Sequence, residues 1–186
     1  SCYRESLDIY EKMSDTITTK RARRDLSISY EKLGDIQKAL KKYDEASECY
    51  RKAKVLRVKL ANENPTTRAR RDLSVITTKM GSVYKETGMY SSAEREYEAA
   101  VVLDRQLNGE LDTLQSERDL SISLEKLGRM YMKNPAADPE EQAVRLQKAC
   151  DYFRETVTLR EKIFLQDLSL HCGQESRAEP YQKVFA

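Results

Sequence analysis

Arginine carries most of the chemistry this chain has to offer, and it recurs at a fixed spacing. Arg24, Arg71 and Arg118 each open the stretch Arg-Asp-Leu-Ser-(Ile/Val), and successive copies lie 47 residues apart. A guanidinium is a permanently charged planar fork that pairs bidentately with carboxylate or phosphate. A row of them suits anion recognition or ion pairing and makes no bonds. Groups that could do covalent chemistry are sparse. The one histidine, His171, sits beside Cys172 without a second ligand pair in sequence reach, which argues against zinc and against a histidine-activated nucleophile. There is no Gly-rich phosphate loop and no paired-histidine motif. Cys2, Cys49, Cys150 and Cys172 form no Cys-x-x-Cys and read as small, mostly buried thiols of a reducing compartment. The expectation is a non-catalytic chain with no cofactor and no metal.

Repeated helical units must position that row. Each copy of the motif runs into the same ending, Glu31-Lys32-Leu33-Gly34, Thr78-Lys79-Met80-Gly81 and Glu125-Lys126-Leu127-Gly128. A fixed period in this range signals a solenoid. On the first helix of a unit Leu26, Tyr30 and Leu33 form one apolar stripe of period 3.6; on the second, Ala46, Tyr50, Ala53, Leu56 and Leu60 form another. The spacing predicts an orphan helix over 1–13, units at about 16–62, 65–108 and 112–165 in a solenoid covering 1–171, and an irregular tail over 172–186. Asp44 and the Ser91-Ser92-Ala93-Glu94 stretch read as helix caps, and Asn108-Gly109 as a helix stop. In the third unit nine extra residues separate the helical glycine from its marker alanine. They predict a loop at 134–138 and a long second helix beginning at Pro139, which is suited to a first helical position. The chain opens inside a repeat without Met, so a fragment of a larger protein is expected.

The residues resemble the tetratricopeptide repeat, whose units carry Leu-Gly-x-x-Tyr on a first helix and Ala-x-x-x-Phe on a second. The matches are Leu33-Gly34, Met80-Gly81-x-x-Tyr84 and Leu127-Gly128-x-x-Tyr131, then Ala46-x-x-x-Tyr50, Ala93-x-x-x-Tyr97 and Ala149-x-x-x-Phe153. The period is longer than the family's usual 34, so the chain is similar to long-helix variants such as those of kinesin light chains and bacterial signalling proteins. The resemblance implies an all-α, right-handed α-α superhelix of antiparallel helix pairs, with first helices lining a concave groove.

Helical projection separates a second stripe on the first helices from the buried one. It places Arg21, Arg24, Ile28 and Glu31 beside Arg68, Arg71, Val75 and Thr78, then Arg118, Ile122, Glu125 and Arg129. An arginine row over an apolar floor suits a peptide or helix of a protein partner, acidic in character. Equally, each arginine could pair with Asp25, Asp72, Asp119 or the adjacent repeat and serve to align the stack. The balance of 33 basic against 31 acidic residues gives +2, too near neutrality for nucleic acid. No apolar run approaches the ~18 residues of a membrane span. The expectation is a cytoplasmic protein-interaction scaffold with no nucleic acid and no membrane, homo-oligomerisation being open. A sensing or self-associating segment of a larger bacterial-type signalling regulator or enzyme is the alternative.

Overall fold

The computed structural model describes residues 19–136 and 138–175, with side chains through 169. The expected orphan helix at 1–13 and the tail beyond 175 lie outside the described residues. Six helices follow in order: α1 (Lys20–Ala39), α2 (Tyr43–Glu63), α3 (Thr67–Glu86), α4 (Tyr90–Leu111), α5 (Leu114–Lys133) and α6 (Pro139–Glu175). Each packs on its sequence neighbour, so α1/α2, α3/α4 and α5/α6 are pairs, joined by α2 on α3 and α4 on α5. No strand occurs among the described residues. The fold is an all-helical repeat solenoid.

The first helices start alike. Thr19, Thr66 and Thr113 cap α1, α3 and α5, each accepting from the backbone N–H three residues on. The Thr113 N–H in turn donates to the Ser116 hydroxyl oxygen, which completes a capping box. The second helices of the first two units start differently from the sequence expectation. α2 begins at Tyr43 after Lys42 and α4 at Tyr90 after Met89, neither with a side-chain cap. Asp44 therefore sits within the first turn of α2, where its charge meets the positive end of the helix dipole. Ser91 and Ser92 likewise lie within α4. The connections turn through positive φ, at Lys41 (59°) and Gly88 (77°). Asn108-Gly109 does not end α4, which runs on to Leu111 and stops at left-handed Asp112. Nothing crowds Gly109, and its low propensity costs only about 1 kcal/mol in a helix held by packing.

The inserted residues behave as the sequence predicts. Asp138 accepts from the Glu141 N–H (2.9 Å) and Pro139 begins a helix of 37 residues, against 21 and 22 for α2 and α4. Residues 166–170, Gln-Asp-Leu-Ser-Leu, echo the repeated motif but continue α6, and this helix passes through 172 to Glu175 where an irregular tail was expected. The thiols also differ from expectation: Cys49 is half-buried and Cys150 exposed, while the side chains of Cys2 and Cys172 lie outside the described set.

Inside each pair an aromatic ring lies on a glycine. Tyr50 and Tyr97 are each 1% exposed, and a Cβ on Gly34 would stand 2.5 Å from the Tyr50 ring, one on Gly81 2.8 Å from Tyr97. At Gly128 the nearest atoms of Phe153 are 3.2 Å away. Tyr50 has little room to yield, because its hydroxyl donates to Asp35 at 2.8 Å. Alanine should thus lose stability despite its better helix propensity, by roughly 1–3 kcal/mol through overpacking. Thermal melts of Gly34→Ala, Gly81→Ala and Gly128→Ala should rank in that order of loss. A rise in Tm at Gly34 would contradict the close-approach reading.

Candidate interaction surface

The residues singled out from sequence separate into those that hold units together and those that face outward. Arg24 Nε lies 2.7 Å from Asp72, Arg71 Nε 2.6 Å from Asp119, and an Arg118 terminal nitrogen 2.8 Å from Asp167. Each guanidinium thus reaches a carboxylate 48 or 49 residues ahead. The last is supplied by the α6 extension in place of a further first helix. Glu31 and Thr78 are buried, at 8% each. Arg21 and Arg68 are exposed and enter no ion pair among the described residues. Val75 and Ile122 are exposed at 38% and 46%, whereas Ile28 is half-buried. Glu125 takes ion pairs from Arg129 (2.6 Å) and from Arg160 of α6, so Arg129 is engaged within its own unit.

A second set of charges, unnoticed in the sequence, sits on the second helices inside the core stripe. Arg57, four residues after Ala53 and three before Leu60, is 3% exposed. It pairs with Glu31 and donates to the Asp72 carbonyl across the unit boundary at 2.8 Å. Glu31 also meets Lys79 of α3 at 2.8 Å, and Lys79 reaches Asp35 at 2.6 Å. The equivalent of Arg57 in the next unit is Asp104, also 3% exposed, held by the Ser123 hydroxyl. An arginine or aspartate in phase with buried alanines and leucines was the readable signal, since such a group must find a buried partner. A further pair joins the units' outer ends: Arg23 with Glu63 at 2.7 Å and Arg70 with Glu110. At the third unit Glu117 takes the arginine's place and its partner is Lys162, with the polarity reversed.

These environments set the charges apart. Burial raises the Glu31 pKa, but hydrogen bonds and attraction from Lys79 and Arg57 outweigh it and hold the carboxyl below the usual range. At Asp104 burial prevails over the Ser123 and Ser74 hydroxyls and pushes the carboxyl up. Lys38 and Lys126 are depressed, mainly by burial; Lys126 is lowered further by repulsion from Lys38, Lys85 and Lys79. A cluster of ammonium groups therefore gathers on the first helices.

Three hollows lie along the first-helix face and its junctions. The largest, of about 450 Å³, lies where α1, α2 and α3 meet and is lined by Arg21, Arg24, Arg57 and Arg68 among others. The equivalent at α3, α4 and α5 has Asp104 where the first has Arg57. The third is lined by Val75, Lys79, Ile122 and Lys126. No group of three or more metal-binding side chains occurs among the described residues. Nor is any described helix long and apolar enough to cross a membrane.

The buried charges give opposite pH behaviour. The depressed Glu31 contributes stability that is present above its unfolded pKa and is lost as pH falls through the lower folded value. The raised Asp104 costs stability at neutral pH, and the cost is relieved as pH falls through its folded pKa towards about pH 4. At pH 7, Asp104→Asn should raise the Tm and Glu31→Gln lower it, and the two should converge with wild type in acid. Arg57→Met should cost ~3 kcal/mol or more, since it leaves Glu31 less compensated. Equal Tm values for the three proteins at pH 7 would contradict this assignment.

Comparison with known proteins bears on part of this geometry. Residues 28–54 match the family model of the tetratricopeptide repeat. No curated protein matches the sequence. Among solved structures, the crystal structure of BtubC (BKLC) from P. vanneervenii is similar at a TM-score of 0.46 and 17% identity, covering 99% of this chain and 76% of that one. A likeness so distant carries no inference about partners or activity. The matched stretch takes in the later part of α1 and the earlier part of α2, so this helix pair matches a tetratricopeptide-type repeat, and the other pairs stack on the same plan.

Proposed function

We propose that this scaffold binds an acidic segment of a protein partner in a groove along its first helices, without catalysis. Repeats of this type serve as protein-interaction scaffolds. The choice of an acidic ligand rests on the α1–α3 hollow, where Lys20, Arg21, Arg24, Arg57 and Arg68 face only two carboxylates, Asp25 and Asp72. Arg24 and Arg57 are committed to Asp72 and Glu31. That leaves Arg21 and Arg68 as the forks that would engage a ligand carboxylate. The ammonium cluster around Lys38, Lys85 and Lys126 extends the positive field along the same face, and Val75 and Ile122 supply apolar contact.

Fluorescence anisotropy with a labelled Asp/Glu-rich peptide containing leucines tests this reading. Reversing Arg21 and Arg68 together to Glu should weaken binding about tenfold or more, a loss of ~1.4 kcal/mol. The Tm should stay unchanged, because neither residue joins an ion pair among the described residues. Wild-type affinity should fall steeply with salt. Peptide binding that survives the double reversal would overturn the acidic-groove reading.

A further inference from the structure

The last helix presents an apolar face that the repeat plan buries elsewhere. Leu146, Val157, Phe164 and Leu168 of α6 are 47%, 54%, 62% and 46% exposed, and Cys150 is exposed with them. At 100° per residue all five fall within about 40° of one helix line. They span 22 residue steps, about 33 Å of helix. The matching positions on α4 are occupied by the next unit: Glu94 by Arg145, Asn108 by the Ser116 hydroxyl, and Val101 by the α5 core, at 3% exposure. On α6 the same face is open among the described residues, and it is more apolar than its α4 counterpart. Cys150 stands where α4 has Glu94, and Phe164 where α4 has Asn108. The charges that would greet another repeat are meanwhile already satisfied, Arg118 by Asp167 and Glu125 by Arg129 and Arg160.

The spacing identifies an occupant. About Val157 the stripe is palindromic: Cys150 and Phe164 lie seven residues either side, Leu146 and Leu168 eleven. An antiparallel helix of identical sequence, related by a twofold axis at Val157, would set Leu146 against Leu168, small Cys150 against large Phe164, and Val157 on itself. A twofold contact demands such self-complementarity. Charge agrees with it. Arg154 and Glu161 flank the stripe on one side, exposed, and the same axis brings each within about one residue of its opposite in the other copy. We propose that α6 is a homodimerisation helix, pairing antiparallel with α6 of a second copy of this chain through residues 146–168.

Sedimentation equilibrium of the full chain is the first measurement, with concentrations up to on the order of 100 µM. The expected species is a dimer of twice the 21.5 kDa chain mass. Val157→Glu, which sets two like charges on the axis, should raise the dimer Kd about tenfold or more. Its Tm at concentrations where both proteins are monomeric should be unchanged, since Val157 is exposed in the single chain. Register is read by cross-linking, with Cys2, Cys49, Cys150 and Cys172 replaced by Ser. Under oxidation Val157→Cys alone should give a covalent dimer, whereas Leu146→Cys should link to a copy carrying Leu168→Cys and not to itself. A monomer throughout the concentration range, a dimer indifferent to Val157→Glu, or self-linking of Leu146→Cys would each overturn the proposal.

Discussion

Charged groups buried at the junctions between units constrain everything else in this structure. A pair of helices two layers deep cannot bury its own faces, and stacking is how repeat proteins close their core. Here the apolar core runs on across the junctions, and charged groups are buried within it. Arg57, Glu31 and Lys79 form a linked set across the first junction, and Arg57 donates directly to a backbone carbonyl of the next unit. Such a set is costly unless every member is met, so it selects one register between neighbouring pairs. Contact within a pair is close, the ring of Tyr50 or Tyr97 lying on a glycine. The two kinds of contact divide the labour: rings on glycines set how near two helices come, and charges set how pairs follow one another.

Arginines within one turn of the same helix consequently play different parts. Arg23 and Arg70 tie first helices to the ends of their own partners, Arg24 and Arg71 reach forward to the next unit, and Arg21 and Arg68 remain exposed. Neighbouring units vary the buried polarity, Arg57 against Asp104, while keeping the row of Arg24, Arg71 and Arg118. The hollows along the first-helix face therefore share a shape but differ in charge, which gives the acidic-ligand reading a preferred end at α1 and α3.

The helices and their pairing were legible in the sequence because apolar periodicity and small residues report directly on burial. Ala46, Ala53, Ala93 and Ala100, all fully buried, fall where the stripe put them. The long final helix was legible too, from Asp138-Pro139 and the nine-residue insertion. Caps were less so: Asp44 and Ser91 look like caps, yet α2 and α4 start earlier, because Lys41 and Gly88 at positive φ already complete the turn. The arginine row was legible as a row, but its partners were not. Asp72 and Asp119 sit next to arginines in sequence and pair with others a whole unit away, which only stacking reveals. Asp167 lay hidden in a fading echo of the motif that takes the place of the next unit's carboxylate.

That arginines 24, 71 and 118 hold successive units in register is tested most directly by exchanging charge across the row. Reversing Arg24, Arg71 and Arg118 to Glu should lower the Tm, and converting Asp72, Asp119 and Asp167 to Arg in the same chain should restore most of the loss. Such pairs, part-buried at Arg24 and more exposed at Arg118, contribute on the order of 1 kcal/mol or less each, so the three together give a shift of several degrees. A triple reversal that leaves the Tm untouched and abolishes binding of the acidic peptide would contradict this account and make the row itself the ligand site.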